Sequence, residues 1–152
     1  MVSILRVDKV WQLAQVYEIR RRTEIDGKQV TLQLEFDEKY GKKYNYLLAL
    51  EKGIPVGTVR INLDNQNYGK IERVSIVKEY QYLGYGKKLI VAAEKWIIEE
   101  KRKHIVITSL PSAEGFYEKQ GYFRTKIVDL SGHKLIFMEK SIGGPANDKT
   151  NS

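Results

Sequence analysis

The segment from Glu72 to Leu89 constrains the fold of this chain most, because it joins a strand to a helix through a glycine-containing turn. An apolar run typical of a strand ends near Val77, and the motif Gln81-x-x-Gly84-x-Gly86 then leads directly into an amphipathic helix. Glycine lets backbone amides approach a ligand closely, because it has no Cβ atom. The first amides of a helix are unpaired and lie at the positive end of its dipole. This turn is therefore suited to a phosphate or pyrophosphate group.

The motif alone also fits an ordinary helix-capping turn. It is not a Walker P-loop, because the Gly-x-x-x-x-Gly-Lys-Ser/Thr spacing is absent. It is not a full dinucleotide-binding fingerprint either, since that pattern needs a third glycine and an early place in a βαβ unit.

A second motif follows the helix, with the sequence Ala113-Glu-Gly-Phe-Tyr-Glu-Lys-Gln-Gly-Tyr-Phe123. It predicts a short helix closed by a glycine and followed by an aromatic strand. The two motifs together resemble those of the GNAT superfamily of acyl-CoA-dependent N-acyltransferases. The resemblance covers roughly residues 3 to 140 and is strongest from Glu72 to Phe123. It implies acetyl-CoA as cosubstrate and an amine as acceptor.

The resemblance implies which residues bind the cofactor. In the family, the strand before the turn pairs with the pantetheine arm through its main chain, as an added peptide strand would be paired. The amide of Ile76 corresponds to the donor that stabilises the oxyanion. The turn itself corresponds to the pyrophosphate loop. The implied cofactor-binding residues are Val74, Ile76, Val77, Gln81, Tyr82, Leu83, Gly84, Tyr85, Gly86 and Lys87.

The resemblance assigns the general acid to Tyr117, which corresponds to the family's tyrosine near the thioester sulfur. A phenol has a pKa near ~10, which is comparable to that of a thiol leaving group. Phe116 and Tyr122 flank Tyr117 in the motif, so a packed core aromatic is the alternative interpretation.

The general base is less defined by the sequence. In some relatives a glutamate early on the strand before the turn activates the amine through water, but Lys70 stands at that position here. Glu72 lies two residues further along, hence on the same face of the strand, and could serve instead. Glu35 and Asp37 are rival acids, and each also fits a surface carboxylate. A mechanism without a dedicated base stays open, with the free amine drawn from solution.

The composition limits the other possibilities. The chain has 152 residues, no cysteine and a formal net charge of +7. Its length suits one domain with a proper core. The absence of cysteine excludes disulfides and a cysteine nucleophile, and two distant histidines give no reason to expect a metal. A long apolar run and a signal-peptide pattern are both absent, so we expect no membrane span and a cytoplasmic location.

The order of predicted elements is βα(α)βββαβαββ. It predicts an α/β fold with a mixed central sheet of about six to seven strands flanked by helices, and the resemblance specifies the GNAT fold. The first helix is expected from about Lys9 to Thr23, with Asp8 as N-cap and Val10, Leu13 and Tyr17 on its apolar face. The domain is expected over residues 1–140, and residues 141–152 form a polar tail expected to be disordered.

The leading function is an N-acetyltransferase that moves an acetyl group from acetyl-CoA to a primary amine of a small molecule or peptide by direct attack in a ternary complex. The alternative is a non-catalytic CoA-binding regulatory module of the same fold. The net charge and ten tyrosines raise a third possibility, a nucleic-acid binder, but no recognisable nucleic-acid motif is present. A homodimer is also left open.

Overall fold

A computed structural model describes residues 1–130 and 132–142 of the chain. It contains a mixed seven-stranded sheet with the strand order β1-β4-β5-β6-β7-β9-β8 and a separate two-stranded hairpin, β2-β3. The strands are β1 (Val2–Arg6), β2 (Glu24–Ile25), β3 (Lys28–Gln29), β4 (Asn45–Glu51), β5 (Ile54–Asn62), β6 (Tyr68–Ile76), β7 (His104–Ser109), β8 (Phe123–Leu130) and β9 (His133–Ser141). The helices are α1 (Val10–Arg20), α2 (Leu32–Glu35), α3 (Tyr85–Glu99) and α4 (Glu114–Lys119). The predicted α/β fold is confirmed.

The chain divides into two compact units, and the first comprises Met1–Ile61 and Arg73–Ala93. Within it, β4 pairs antiparallel with both β1 and β5. The turn between β4 and β5 is formed by Lys52 and Gly53, which have φ angles of 52° and 81°. Positive φ at both central residues is the geometry that matches the twist of a two-residue hairpin. The sequence Glu51-Lys52-Gly53, which lies between two strand-like runs, predicts a hairpin at this point, and the structure contains it.

Helix α1 differs from its prediction in its N-cap and in its buried face. Lys9 is the N-cap, and the Gln12 side chain accepts hydrogen bonds from the amides of Asp8 and Lys9 at 2.8 and 3.0 Å. Val10 is 84% exposed, although its spacing predicts an inward position. The buried residues of α1 are Gln12, Val16, Ile19 and Arg20. The helix is thus rotated toward a face that includes a fully buried arginine.

The second unit comprises Asn62–Glu72 and the described residues from Glu94 onward. In this unit β6 pairs parallel with β7, and β9 pairs antiparallel with β7 and β8. Strand β9 ends at Ser141, and the amide of Ile142 donates to the carbonyl of Lys103 at 2.7 Å. Regular structure therefore extends past the expected boundary at residue 140. The rest of the predicted tail, residues 143–152, lies outside the described residues.

Strand β6 contains an irregularity. Its parallel pairing with β7 runs from Tyr68 to Ile71, and the strand continues to Ile76. Arg73, in this continuation, has a φ angle of 51°. A left-handed non-glycine residue inside a strand costs about 1–3 kcal/mol and persists only when its surroundings hold it. The strand is therefore bent at Arg73, just before the residues implied to bind the cofactor.

Candidate active site

A cleft of about 540 Å³ lies in the first unit beside the end of β6. Val74, Ile76 and Val77 form part of one wall, and Gln81 lies at the turn that follows. Other lining residues come from the end of α1, the segment after it and the β2–β3 hairpin, and they include Ile19, Arg22, Thr23, Glu24, Gly27 and Gln29. The structure therefore brings four of the predicted cofactor-binding residues to one cleft.

The turn after β6 is held by backbone and side-chain hydrogen bonds. The amide of Val77 donates to the carbonyl of Val56 at 2.9 Å, and a short 3-10 turn follows over Lys78–Tyr80. The Gln81 side-chain amide then donates to the carbonyl of Ile76 at 3.1 Å. Gln81 thus closes the turn onto the end of β6, which fixes where the next residues point.

The remaining turn residues present their backbone at the start of α3. Tyr82 and Gly84 have φ angles of 63° and 88°, and the Lys88 amide donates to the Gly84 carbonyl at 3.2 Å. The amides of Tyr85, Gly86 and Lys87 lie between Gly84 and Lys88 and belong to the first turn of α3, where no carbonyl of the helix is available to them. A Cβ atom added at Gly84 would meet no protein atom within 4 Å. The space beside Gly84 is open to a ligand, and the donor set suits a pyrophosphate.

The side chains of this turn are mostly exposed. Tyr82 is 99% exposed and Leu83 is 61% exposed. Lys87 is exposed as well, whereas the Tyr85 hydroxyl donates to Glu51 at 2.8 Å. The backbone amides, including that of Gly86, and the Lys87 charge are therefore what the turn offers an anion.

Tyr117 lies on α4 in the second unit and is 6% exposed. Its ring makes edge contacts with Phe116 and Tyr122, at centroid distances of 5.1 and 6.1 Å. Burial raises the pKa of the Tyr117 phenol from 10.0 to about 12. The phenol therefore keeps its proton throughout the neutral range. The increase of about two in pKa also makes Tyr117 a weaker acid than a free phenol, by roughly 3 kcal/mol.

A buried cluster next to Tyr117 was not predicted from the sequence. The Tyr122 hydroxyl donates to Glu94 at 2.7 Å, and the Lys140 ammonium lies 3.1 Å from the same carboxylate. Lys140 also donates to the carbonyl of Gln120 at 2.7 Å. Lys140 therefore links α3, β9 and the end of α4, which holds the aromatic neighbour of Tyr117 in place. Lys140 is 46 residues from Glu94 and 20 residues from Gln120 in the sequence, so no local pattern predicts this role.

Glu72 lies in the second unit on β6, one residue beyond the last position paired with β7. Its side chain is 16% exposed, and the Lys70 ammonium lies 3.7 Å from its carboxylate. The two side chains share a face of the strand, as the spacing of two residues predicts.

The rival acids Glu35 and Asp37 belong to a cluster of ion pairs in the first unit. Glu35 is 4% exposed and accepts from Nε of the fully buried Arg20 at 2.9 Å. Asp37 accepts from both terminal nitrogens of Arg60, at 2.7 and 3.2 Å. These hydrogen bonds hold the pKa of the Asp37 carboxyl well below its usual range. A carboxylate with a lowered pKa is a weak base, so Asp37 is poorly suited to deprotonating an amine.

Three more residues complete the cluster. Glu38 contacts Arg20 and accepts from Arg60 at 2.8 Å. The Tyr46 hydroxyl donates to Glu38 and accepts from Arg20 at 2.9 Å. Arg73 lies 3.1 Å from Asp37 and 3.8 Å from Glu35. The cluster thus pairs three arginines with three carboxylates, and its formal charge is balanced. The acidic residues of the run Glu35–Glu38 would alone favour a cationic acceptor, but the three arginines offset their charge.

Two observations concern other classes of site. Within residues 1–130 and 132–142, no group of three or more His, Cys, Asp or Glu side chains is arranged to hold a metal ion. Among the same residues, no helix is long and apolar enough to cross a membrane.

A strand of a mixed sheet that leads through a glycine turn into a helix is the arrangement that the resemblance to acyl-CoA-dependent acyltransferases implies. The chain belongs to the acetyltransferase (GNAT) family, whose model matches residues 13–122. The resemblance inferred from the two motifs is therefore confirmed, and with it the expectation of an acyltransferase enzyme.

Individual relatives agree with this assignment. A Bacillus subtilis (strain 168) protein named as a putative acetyltransferase is 29% identical over 123 residues, which cover 80% of this chain and 83% of that protein. The crystal structure of a putative N-acetyltransferase from Lactobacillus plantarum has a TM-score of 0.85 and 25% identity, covering 93% of this chain and 99% of that one. A putative streptothricin acetyltransferase from Bacillus anthracis, solved with acetyl coenzyme A, shares the fold at a TM-score of 0.70 and 18% identity, covering 93% of this chain and 100% of that one.

Proposed function

We propose that this protein is an N-acetyltransferase that transfers an acetyl group from acetyl-CoA to a primary amine by direct attack in a ternary complex. The observation that carries the proposal is the order of features along the chain: the cleft follows the end of β6 as far as Gln81, and the open space beside Gly84 comes three residues later. The end of β6 runs past its last pairing with β7 and is followed by the first amides of α3. These two features match the two parts of the cofactor, an amide-containing arm and a pyrophosphate.

The cofactor-binding roles follow from this placement. The main chain of Val74 and Ile76 pairs with the pantetheine amides, and Val77 supports the strand end. The amides of the turn bind the pyrophosphate, and Lys87 adds a positive charge nearby. This set comprises Gln81, Tyr82, Leu83, Gly84, Tyr85, Gly86 and Lys87. The bound cosubstrate supplies an activated acetyl thioester.

Transfer requires the enzyme to manage one negative charge and two protons. The amine nitrogen forms a bond to the acetyl carbon, and the carbon–sulfur bond breaks. The amide of Ile76 stabilises the oxyanion formed between these events. Tyr117 donates its phenolic proton to the departing sulfur and then regains a proton from the solvent. Burial keeps the phenol protonated at neutral pH before each turnover, although it also makes Tyr117 a weaker acid. The proton lost by the amine passes to Glu72, directly or through water, or to bulk solvent.

Glu72 is the preferred base because the rival carboxylates are held by arginines. Asp37 is held by Arg60, and Glu35 lies buried against Arg20. Glu72 lies 3.7 Å from the Lys70 ammonium, at 16% exposure, on the strand that leads into the cleft wall. A Glu72→Gln variant should lower kcat most at low pH, where the acceptor amine is mostly protonated and must lose a proton on the enzyme. An unchanged pH profile would assign deprotonation to the solvent.

The acceptor is proposed only as a primary amine on a small molecule or peptide. The cluster of ion pairs formed by Arg20, Arg60 and Arg73 with three carboxylates has a balanced formal charge. The run Glu35–Glu38 therefore gives no preference for a cationic acceptor. The cleft wall beside β6 carries side chains of both signs, including Arg22, Glu24 and Lys78. An acceptor screen should therefore include amines with and without a neighbouring carboxylate.

Calorimetric titration with CoA tests the proposal at its first step. Gly84→Val would place a side chain in the open space beside the turn and should weaken CoA binding about 100-fold, or about 3 kcal/mol, by displacing charge-assisted hydrogen bonds. Gly53→Val is the matched control, because Gly53 has a φ of 81° and also meets nothing within 4 Å. Both variants carry similar backbone strain, but Gly53→Val should retain affinity. Equal affinity of folded Gly84→Val and wild type would refute the binding site.

Thiol release from acetyl-CoA in the presence of an amine panel tests catalysis. An acetyltransferase releases thiol in proportion to the acetylated amine detected by mass spectrometry. A protein that binds CoA but acetylates no amine in the panel would instead support a regulatory module.

A further inference from the structure

The bend of β6 at Arg73 is fastened by acidic residues from a different part of the chain. Arg73 has a φ of 51°, a backbone conformation that a side chain with a Cβ rarely adopts without support. Its guanidinium lies 3.1 Å from Asp37 and 3.8 Å from Glu35. Both carboxylates follow or end α2, so they reach β6 from outside the sheet. Arg73, the residue at which the strand has a strained backbone, is therefore also the residue whose side chain is ion-paired with Asp37 and Glu35.

The acidic residues are themselves held firmly. Asp37 accepts two hydrogen bonds from Arg60 of β5, whose side chain is 6% exposed. Glu35 is buried against Arg20, and Arg20 also donates to the Glu35 carbonyl at 2.6 Å. A planar guanidinium that binds a carboxylate through two nitrogens fixes orientation as well as distance. The position of Asp37 is thus set by β5, and Asp37 in turn sets Arg73.

The residues directly after Arg73 form the wall of the cleft. Val74 and Ile76 line it, and the turn that closes through Gln81 begins after them. A rotation of the backbone at Arg73 would change the direction of every amide and carbonyl in this wall. Main-chain recognition depends on those directions, because hydrogen bonds weaken steeply as their angles close.

We infer that Asp37 is a positioning residue for acyl-CoA binding, which acts through Arg73 by holding the bend of β6 so that the main chain of residues 74–76 faces the cofactor. This inference rests on the proposed function. Asp37 takes no part in proton transfer and touches no substrate. Its effect is exerted entirely on the backbone of β6.

The first test compares Asp37→Asn with Glu18→Gln. Asp37 and Glu18 are both 48% exposed, and each contacts two arginines. Asp37→Asn should raise the Kd for acetyl-CoA by about tenfold, whereas Glu18→Gln should leave it unchanged. Hydrogen exchange of the amides of residues 74–76 in the free protein should accelerate in Asp37→Asn and not in Glu18→Gln.

The second test is a double-mutant cycle with Arg73→Gly, since glycine adopts the left-handed conformation without strain but cannot be tied to Asp37. Arg73→Gly alone should also weaken acetyl-CoA binding. If Asp37 acts through Arg73, adding Asp37→Asn to Arg73→Gly should change the Kd by less than about twofold. Additive effects of the two substitutions would overturn the inference, because Asp37 would then act by another route.

Failure of the proposed function and failure of the positioning role would give different results. Wild-type protein that does not bind acetyl-CoA would refute the proposed function, and the hydrogen-exchange comparison would still decide whether Asp37 holds β6. Wild-type protein that binds acetyl-CoA, with unchanged affinity and unchanged exchange in Asp37→Asn, would overturn the positioning role alone.

Discussion

Gly57 of β5 is the position where a minimal substitution should disturb both stability and the cleft. A Cβ atom at Gly57 would lie 2.8 Å from Cδ1 of Ile76, 2.9 Å from Cδ1 of Leu89 and 3.3 Å from the carbonyl oxygen of Ser75. Leu89 is fully buried, so its side chain has little room to move away. The carbonyl oxygen of Ser75 belongs to the backbone of the cleft wall, so relief of that contact requires the backbone to shift by a few tenths of an ångström.

The expected cost of Gly57→Ala follows from this crowding. Forcing one extra carbon into a packed core costs about 1–3 kcal/mol. For a domain of this size each kcal/mol lowers Tm by about 2–4 °C, so we expect a decrease of about 2–12 °C. Displacement of the Ser75 carbonyl should also raise the Kd for CoA by about fivefold or more, since the orientation of the main-chain groups in the cleft wall changes with it.

Gly69→Ala is the matched control for this prediction. Its added Cβ atom would lie 2.6–2.8 Å from three side-chain atoms of Ile97, which is fully buried and does not line the cleft. Both variants should therefore lower Tm, measured by scanning calorimetry, but Gly57→Ala alone should lower CoA affinity. Loss of affinity in both variants would show that affinity follows general stability. An unchanged Tm in Gly57→Ala would show that the core around Leu89 is looser than these distances indicate.

Three further predictions concern catalysis, pH and the end of the chain. Tyr117→Phe keeps the buried ring but removes the phenolic proton, so kcat should fall by about 10²-fold with little change in CoA affinity. The loss in kcat should be smaller with an acyl thioester of a more acidic thiol, because that leaving group needs less protonation. An unchanged kcat would show that Tyr117 serves only in packing. Burial raises the pKa of Tyr46, Tyr117 and Tyr122, so the stability that these residues contribute is complete below pH ~10 and is lost as pH rises through their folded-state pKa values. For Tyr117 the shift from 10.0 to about 12 corresponds to about 3 kcal/mol lost by pH ~12, which denaturant unfolding followed with tyrosinate absorbance should detect. Truncation after Ile142 should leave Tm unchanged, whereas truncation after Lys140 should lower it, because it removes the hydrogen bond from Ile142 to Lys103; equal Tm values would show that this last pairing contributes nothing.

The strand, turn and helix from Tyr68 to Glu99 could be predicted because their signals are local. Strand β6 ends at Ile76, one residue before the end that the sequence predicts. Helical spacing predicts inward positions for five residues of α3; Trp96 is only half-buried, and the four that are fully buried are Leu89, Ile90, Ala93 and Ile97. A glycine in a turn favours a left-handed backbone conformation, and Gly84 adopts one with a φ of 88°. Each of these features depends on residues close together in the chain.

The face of α1 could not be predicted in the same way. Helical spacing placed Val10 inward, yet Val10 is exposed and Arg20 is fully buried. A buried arginine is stable only when its charge is paired and its donors are satisfied. The partners of Arg20 are Glu35, Glu38 and Tyr46, which come from the end of α2, the segment after it and β4. The sequence of α1 alone cannot predict that Arg20 is buried, because its partners lie 15 to 26 residues further along the chain.

Arg73 illustrates a second limit of sequence reasoning, and it also explains why the acidic segment matters. Two of the left-handed residues near the cleft differ in how that conformation is accommodated: position 84 is a glycine, and position 73 is an arginine paired with carboxylates. Glycine removes the steric cost but leaves the backbone free to adopt other conformations. An ion-paired arginine keeps the cost and offsets it with contacts that exist in one geometry only. The turn can therefore adjust around a pyrophosphate, whereas the strand that must present amides at fixed angles is held in advance. Because that support comes from Asp37 and Glu35, substitutions in a segment that neither binds the cofactor nor reacts should still alter the affinity for it.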